Sequence, residues 1–184
     1  MAKLKESIGR EILKRKKRAI SREICVHNFN TAKSAVILFD TGNSESFKVI
    51  KEFQKFLESQ KIKVNTFGFV HQKEVPQELL FLKNYAFITR KDLNWYMKPS
   101  GEATEDFYAA DPDLLIDFTP NISLELQYLV ELSTARFKAG CFTEEQNDYD
   151  LMISLDDNTQ IGFLAEQFKR YIAMLNPVNE PSDV

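Results

Sequence analysis

Cysteine is scarce in this chain. Its two residues, Cys25 and Cys141, stand far apart and form no CxxC pair. That excludes a disulfide scaffold and fits a reducing cytoplasm. Histidine is as scarce, with only His27 and His71. Cys25-Val-His27 offers two metal ligands, but nothing nearby completes a set of four. A Ser–His–Asp triad would have to recruit one of these histidines, and neither falls in a segment predicted at a functional edge. Six glycines and six prolines in 184 residues exclude collagen-like and low-complexity chains. No apolar run approaches the roughly 18 residues that a membrane span needs. The basic N-terminus lacks the apolar stretch of a signal peptide. There is no Walker loop and no GxGxxG. The expectation is a cytoplasmic protein in which no motif calls for a catalytic residue, a metal or a cofactor.

What is present is a core and an uneven charge. The chain is 43% hydrophobic with fifteen phenylalanines, enough for one α/β domain with an appendage. Residues 1–22 hold nine Lys and Arg against Glu6 and Glu11, a net of +7. The chain totals −3, so −10 remains for the rest. A basic arm on an acidic body bears on partners more than on chemistry.

Hydrophobic spacing predicts the elements. Leu4, Ile8, Ile12, Leu13, Ile20 and Ile24 recur at helical intervals, so residues 3–26 read as one long amphipathic helix, closed by Asn28, Asn30 and Thr31. Ala35–Phe39 and Leu114–Phe118 are continuous apolar runs, the mark of strands buried on both faces at the centre of a parallel sheet. Ile62–Phe67, Ala86–Thr89, Arg136–Phe142 and Leu151–Leu155 read as further strands. Helices are expected after Ser44, at 77–83, at 102–109, after Ser123, and at 161–175, the last capped by Asp156 and Asp157. Strands alternating with helices imply a three-layer sandwich around a mostly parallel, Rossmann- or flavodoxin-like sheet of five or six strands. The boundaries fall at 1–31 for the basic helix, 32–176 for the domain and 177–184 for a polar tail.

In such sheets, ligands bind beyond the carboxyl ends of the strands. Three loops should gather there. The first offers Asp40, Thr41, Asn43 and Ser44 at a helix N-terminus, where N–H groups favour an anion. The second offers Asp92, Asn94, Trp95, Tyr96 and Lys98, and Trp95 is the sole tryptophan. Aromatic and polar groups mixed in this way suit a binding surface. The third offers Asp117, Thr119 and Asn121, although an aspartate after a strand commonly fixes only its own turn.

Three resemblances bear on this reading. Thr41-Gly-Asn-Ser44 resembles the phosphate loop of flavodoxins, with Asp40 where that family has Ser or Thr. Asp113 to Phe142, a strand, Asp, turn and helix leading to Ala135-Arg-Phe-Lys-Ala-Gly140, is similar to the N-terminal Rossmann half of heptosyltransferase-like glycosyltransferases. That likeness implies the fold, because the second, sugar-nucleotide domain of those enzymes has no counterpart here. Lys91-Asp-Leu-Asn-Trp-Tyr96 with Lys98-Pro99, and Phe137-Lys-Ala-Gly140, resemble an uncharacterised bacterial family of Rossmann-like proteins with no assigned activity.

The sequence therefore reads first as a non-catalytic binding protein. Lys14, Arg15, Lys16, Lys17, Arg18 and Arg22 would contact RNA, a ribonucleoprotein or a protein partner, a second copy included. The helix's apolar stripe must also be buried somewhere, on this chain's own body or on another. The alternative is a domain or enzyme that binds a nucleotide, a sugar nucleotide or a flavin at the three-loop edge.

Overall fold

A computed structural model describes residues 2–42, 44–144, 147–155 and 160–177, with the side chains of Ala2, Ser44 and Glu45 outside that description. Asn43, the Asp156-Asp157 cap and the tail from 178 onward lie outside the described residues. Helix α1 (Ala2–Lys17) is followed by β1 (Ser34–Asp40), α2 (Ser44–Ser59), β2 (Lys63–Val70), β3 (Tyr85–Thr89), α3 (Glu102–Ala109), β4 (Leu114–Asp117), α4 (Leu124–Leu132), β5 (Phe137–Cys141), β6 (Leu151–Ile153) and α5 (Ile161–Met174). Single 3-10 turns stand at Gln77–Leu79 and Arg90–Asp92.

The six strands lie in the order β3-β2-β1-β4-β5-β6, and every pairing is parallel. The two apolar runs, β1 and β4, are the central pair, as their lack of alternation requires. Asp113 ties their starts together, its Oδ2 accepting from Lys33 N at 2.7 Å and Ser34 N at 3.2 Å. The sheet is covered on both faces. On one, Ile37, Phe39, Ile116, Phe118 and Phe137 meet Phe53 and Leu57 of α2 and Leu164, Phe168 and Ile172 of α5. On the other, Val36, Leu38, Phe67, Phe69 and Leu115 meet Phe107 of α3 and Leu126, Leu129 and Val130 of α4. No helix among the described residues is long and apolar enough to cross a membrane.

Three elements differ from expectation, the first being the helix expected at 77–83, which is only the 3-10 turn at Gln77–Leu79. The N-terminal helix ends at Lys17, not near residue 26. Ala19 and Ile20 donate back to Lys16 and Lys17 in a tightened last turn, and the β-branched Ile20, Ile24 and Val26 suit the extended chain that follows. Asn28 then organises a turn, its Oδ1 accepting from the N–H groups of Asn30 and Thr31. Of the predicted stripe, Leu13 is buried, whereas Leu4 (66% exposed) and Ile24 (62%) face solvent. Strand β2 runs on to Val70, through Gly68. A Cβ on Gly68 would lie 2.8 Å from the Phe87 ring, so glycine here admits an aromatic neighbour and does not end the strand.

Helix α1 packs on α4. Leu13 joins Leu124, Tyr128 and Leu132 in a third apolar cluster, and the Tyr128 hydroxyl donates to Gly9 O at 2.6 Å. A Cβ on Gly9 would sit 2.5 Å from Tyr96 O, so the close approach needs a glycine. With α1 on one side and the sheet on the other, every residue of α4 except Glu131 is buried.

Candidate functional site

Side chains alternate along a strand, and this alternation sorts the ionisable groups. Asp40 follows Val36 and Leu38, His71 follows Phe67 and Phe69, Asp117 follows Leu115, and Lys138 lies opposite Phe137 and Ala139. All four fall on the α3/α4 face. Asp40, His71 and Asp117 stand at carboxyl ends of strands. The loops after β1 and β4 flank the point where the strand order reverses, where α/β sheets bind ligands.

At the end of β1, His71 Nε2 lies 2.8 Å from both oxygens of Asp40. Asp40 Oδ1 also accepts from Gly42 N at 2.8 Å. Thr41 turns inward, its N–H and hydroxyl both donating to Phe69 O. Ser44 opens α2. His71 falls in none of the three edge loops that the sequence predicts, and β2 is longer than the Ile62–Phe67 run. Three further strand residues carry His71 to the functional edge.

At the end of β4, Asp117 is fully buried. Its Oδ1 accepts from Thr119 N at 2.9 Å and Thr119 Oγ1 at 2.7 Å, and its Oδ2 from the Tyr149 hydroxyl at 2.5 Å. Burial raises its pKa from 3.8 to about 6, against the lowering effect of the Tyr149 and Thr119 bonds. Burial, with Asp117 beside it, lifts the Tyr149 phenol well above its ordinary value and the Cys141 thiol to about 12. Thr119, Asn121, Cys141, Phe142 and Tyr149 line a pocket of about 350 Å³ between the loops after β4 and β5.

Behind that pocket sits an ionic cluster. Lys138, fully buried in β5, donates to Val130 O at 2.8 Å and to Asp148 Oδ2 at 2.5 Å. Burial lowers its pKa to about 8, opposed by Asp148. Burial lifts the Asp148 carboxyl, but the bond and charge of Lys138, with Lys17 and Arg22, outweigh it and hold the group below its ordinary value. Lys17 Nζ lies 3.3 Å from both Glu131 and Asp148. Arg22 grips Asp150 with two bonds of 2.7 and 2.8 Å. The strip Asp148-Tyr149-Asp150 thus binds the N-terminal segment, β5 and β4 together. Tyr149 and Asp148 were not singled out from sequence. The available signal was a lysine inside an otherwise apolar strand, Phe137-Lys-Ala-Gly-Cys141, which demands a buried acid.

The second predicted loop is folded on itself. Asp92 Oδ2 accepts from Thr89 N and Oγ1 at 2.8 and 2.7 Å. Asn94 Oδ1 accepts from Tyr96 N and Lys98 N. Tyr96 joins the α1–α4 cluster, while Trp95, 60% exposed, meets Tyr96 edge-on at 5.2 Å. The contacts of Asp40 and Thr41 thus go to β2 and its end, those of Asp117 to Thr119 and Tyr149, and those of the Trp95 loop to itself and the α1–α4 cluster.

The basic residues divide in the same way. Lys17 and Arg22 are engaged with acids of the body, and Arg15 pairs with Glu11 at 3.3 Å. Arg10 donates to Gln127 and Glu6. Lys14, Lys16 and Arg18 are exposed, and no hydrogen bond or ion pair of their side chains is seen among the described residues. Burial lowers the pKa of Lys98, and nearby Lys16 lowers it further, so Lys98 extends the positive ridge. Arg10, Lys14, Lys17 and Arg18 line one wall of an open groove of about 580 Å³ between α1 and α4, with Gln127 and Glu131 opposite. Among the described residues, no group of three or more His, Cys, Asp or Glu is placed to hold a metal ion.

A family model described as a family of unknown function (DUF6913) matches residues 4–175, and the chain belongs to that family. No curated protein and no solved structure matches it.

Proposed function

We propose that this protein is a non-catalytic binding protein whose α1 helix, docked on its own body, presents a cationic ridge to the phosphate backbone of RNA. The observation that carries this reading is the division of charge on α1 and the segment that follows it. Cations facing the body are answered by Glu131, Asp148 and Asp150, while Lys14, Lys16 and Arg18 remain exposed beside the groove. Exposed lysines on a rigid helix neutralise phosphates without sequence demand. A docked helix also loses less conformational freedom on binding than a free arm would.

The test is polarisation binding of a labelled single-stranded RNA to the wild type and to K14E/K16E/R18E across a salt series. For about four phosphate contacts, log affinity should fall with log salt with a slope near −3. The triple variant should lose binding while keeping its melting temperature. Salt-insensitive binding, or equal binding by the variant, refutes the reading. A second reading, a small-ligand domain at the carboxyl edge, is favoured by the strand order, which places the loops after β1 and β4 at the switch point.

A further inference from the structure

The pocket between the loops after β4 and β5 has an unusual polarity, and it stands apart from the α1 ridge. Its charge is behind its wall. Asp117 is fully buried and spends both oxygens on donors, Thr119 N and Oγ1 on Oδ1 and the Tyr149 hydroxyl on Oδ2. Both hydroxyl protons are therefore directed inward. What Thr119 and Tyr149 have left for the pocket they line is lone pairs. A carboxylate behind two hydroxyls also polarises them, which strengthens their oxygens as acceptors. Among the described residues no Lys, Arg or His lines this pocket, so an anion entering it would face the Asp117 charge with no cationic side chain to offset it.

The aromatic groups agree. The Tyr149 ring lies against Gly140, where any Cβ would collide with it. Gly140 thus seats the ring, and Asp117 fixes its hydroxyl. Phe142 borders the pocket at 54% exposure. Aromatic rings beside acceptors favour a nitrogen cation. At about 350 Å³ the space suits a small molecule at the lower end of ligand sites. Asn121, exposed at the rim, can donate to or accept from the ligand's remainder.

We propose that this pocket binds a small primary amine as its ammonium form, with N–H groups donating to Thr119 Oγ1 and the Tyr149 phenol oxygen, and the Asp117 carboxylate supplying the counter-charge. The inference does not rest on RNA binding by α1. It also opposes a phosphorylated ligand in this pocket.

The test is a titration of the nitrogen-15 labelled full chain with n-butylamine, putrescine and inorganic phosphate near pH 7.5, followed by amide shifts. The amines should give saturable shifts in residues 119–121 and 141–143, and phosphate none there. Asp117→Asn should weaken amine binding by about tenfold or more, since a unit charge is lost at short range. Tyr149→Phe removes one acceptor without removing the ring and should weaken it several-fold. If Asp117→Asn does not fold, judged by its amide dispersion, Tyr149→Phe and Thr119→Val carry the test. No saturable amine shift by about 10 mM, shifts equally produced by phosphate, or folded variants binding as the wild type each overturn the proposal.

Discussion

The two faces of this sheet are built from the same strands and hold different kinds of matter. The α2/α5 face is an aromatic core. Phe53, Phe118 and Phe168 meet edge to face at 4.9 and 5.1 Å, and its buried polar pair, Thr66 and Gln54, is uncharged. The α3/α4 face holds all three buried charged residues among those described, Asp117, Glu125 and Lys138, and borders both candidate surfaces. One face secures the fold by area removed from water. The other spends stability on holding charges where water cannot reach them. Alternation along β4 and β5 produces the division, because neighbours in sequence such as Ile116 and Asp117, or Phe137 and Lys138, belong to opposite faces.

The sharpest test of this contrast lies on the apolar face. Phe53→Ala should cost about 4 kcal/mol in urea denaturation, with no dependence on pH. A cost under about 1 kcal/mol would mean that this core is loosely packed. Next in size, Asp148→Ala should cost about 3 kcal/mol at pH 7, because it strips the partner from buried Lys138. The penalty should shrink as pH rises past about 8, where Lys138 sheds its proton. Lys138→Met, which removes the buried charge itself, should cost less than Asp148→Ala.

A third test uses pH alone. Asp117 holds its proton more tightly when folded, its pKa moving from 3.8 to about 6. Between those values the native state binds more protons than the unfolded chain, so this group's contribution falls as pH rises. It is fully present below pH 4 and gone above pH 6, and spans about 3 kcal/mol. Asp117→Asn should abolish that slope, and an unchanged slope would place the titration elsewhere. The smallest expected effect is that of K14E/K16E/R18E on stability, within about 0.5 kcal/mol. A large loss would show that these lysines and Arg18 serve the fold.

Much of the apolar face was legible in the sequence, and less of the charged one. The runs Ala35–Phe39 and Leu114–Phe118 announce central strands because continuous apolarity needs cover on both sides. Hydrophobic spacing also marks Ile50, Phe53 and Leu57 of α2 and Leu164, Phe168 and Ile172 of α5, but it marks Phe163 and Tyr171 as inward too, and these are exposed. The length of α1 was overread because Ile20 and Ile24 continue a helical interval, and nothing local reveals that Arg22 will be drawn to Asp150, 128 residues away. β2 runs past Phe67 through Gly68, whose packing partner, Phe87, comes from another strand and leaves no local mark. The pairing of Asp117 with Tyr149 and of Lys138 with Asp148 depends on how the chain returns after β5, and local pattern carries no information about that return.

The strip Asp148-Tyr149-Asp150 has a consequence for how this family can diverge. Three neighbouring residues answer to three separate clients: Lys138 with Lys17, Asp117, and Arg22. An insertion or deletion inside the strip would put all three out of step at once, and a compensating change at one client would not restore the others. Length variation between β5 and β6 should therefore accumulate before Asn147. Substitutions at 17, 138 and 148 should be inherited as a set.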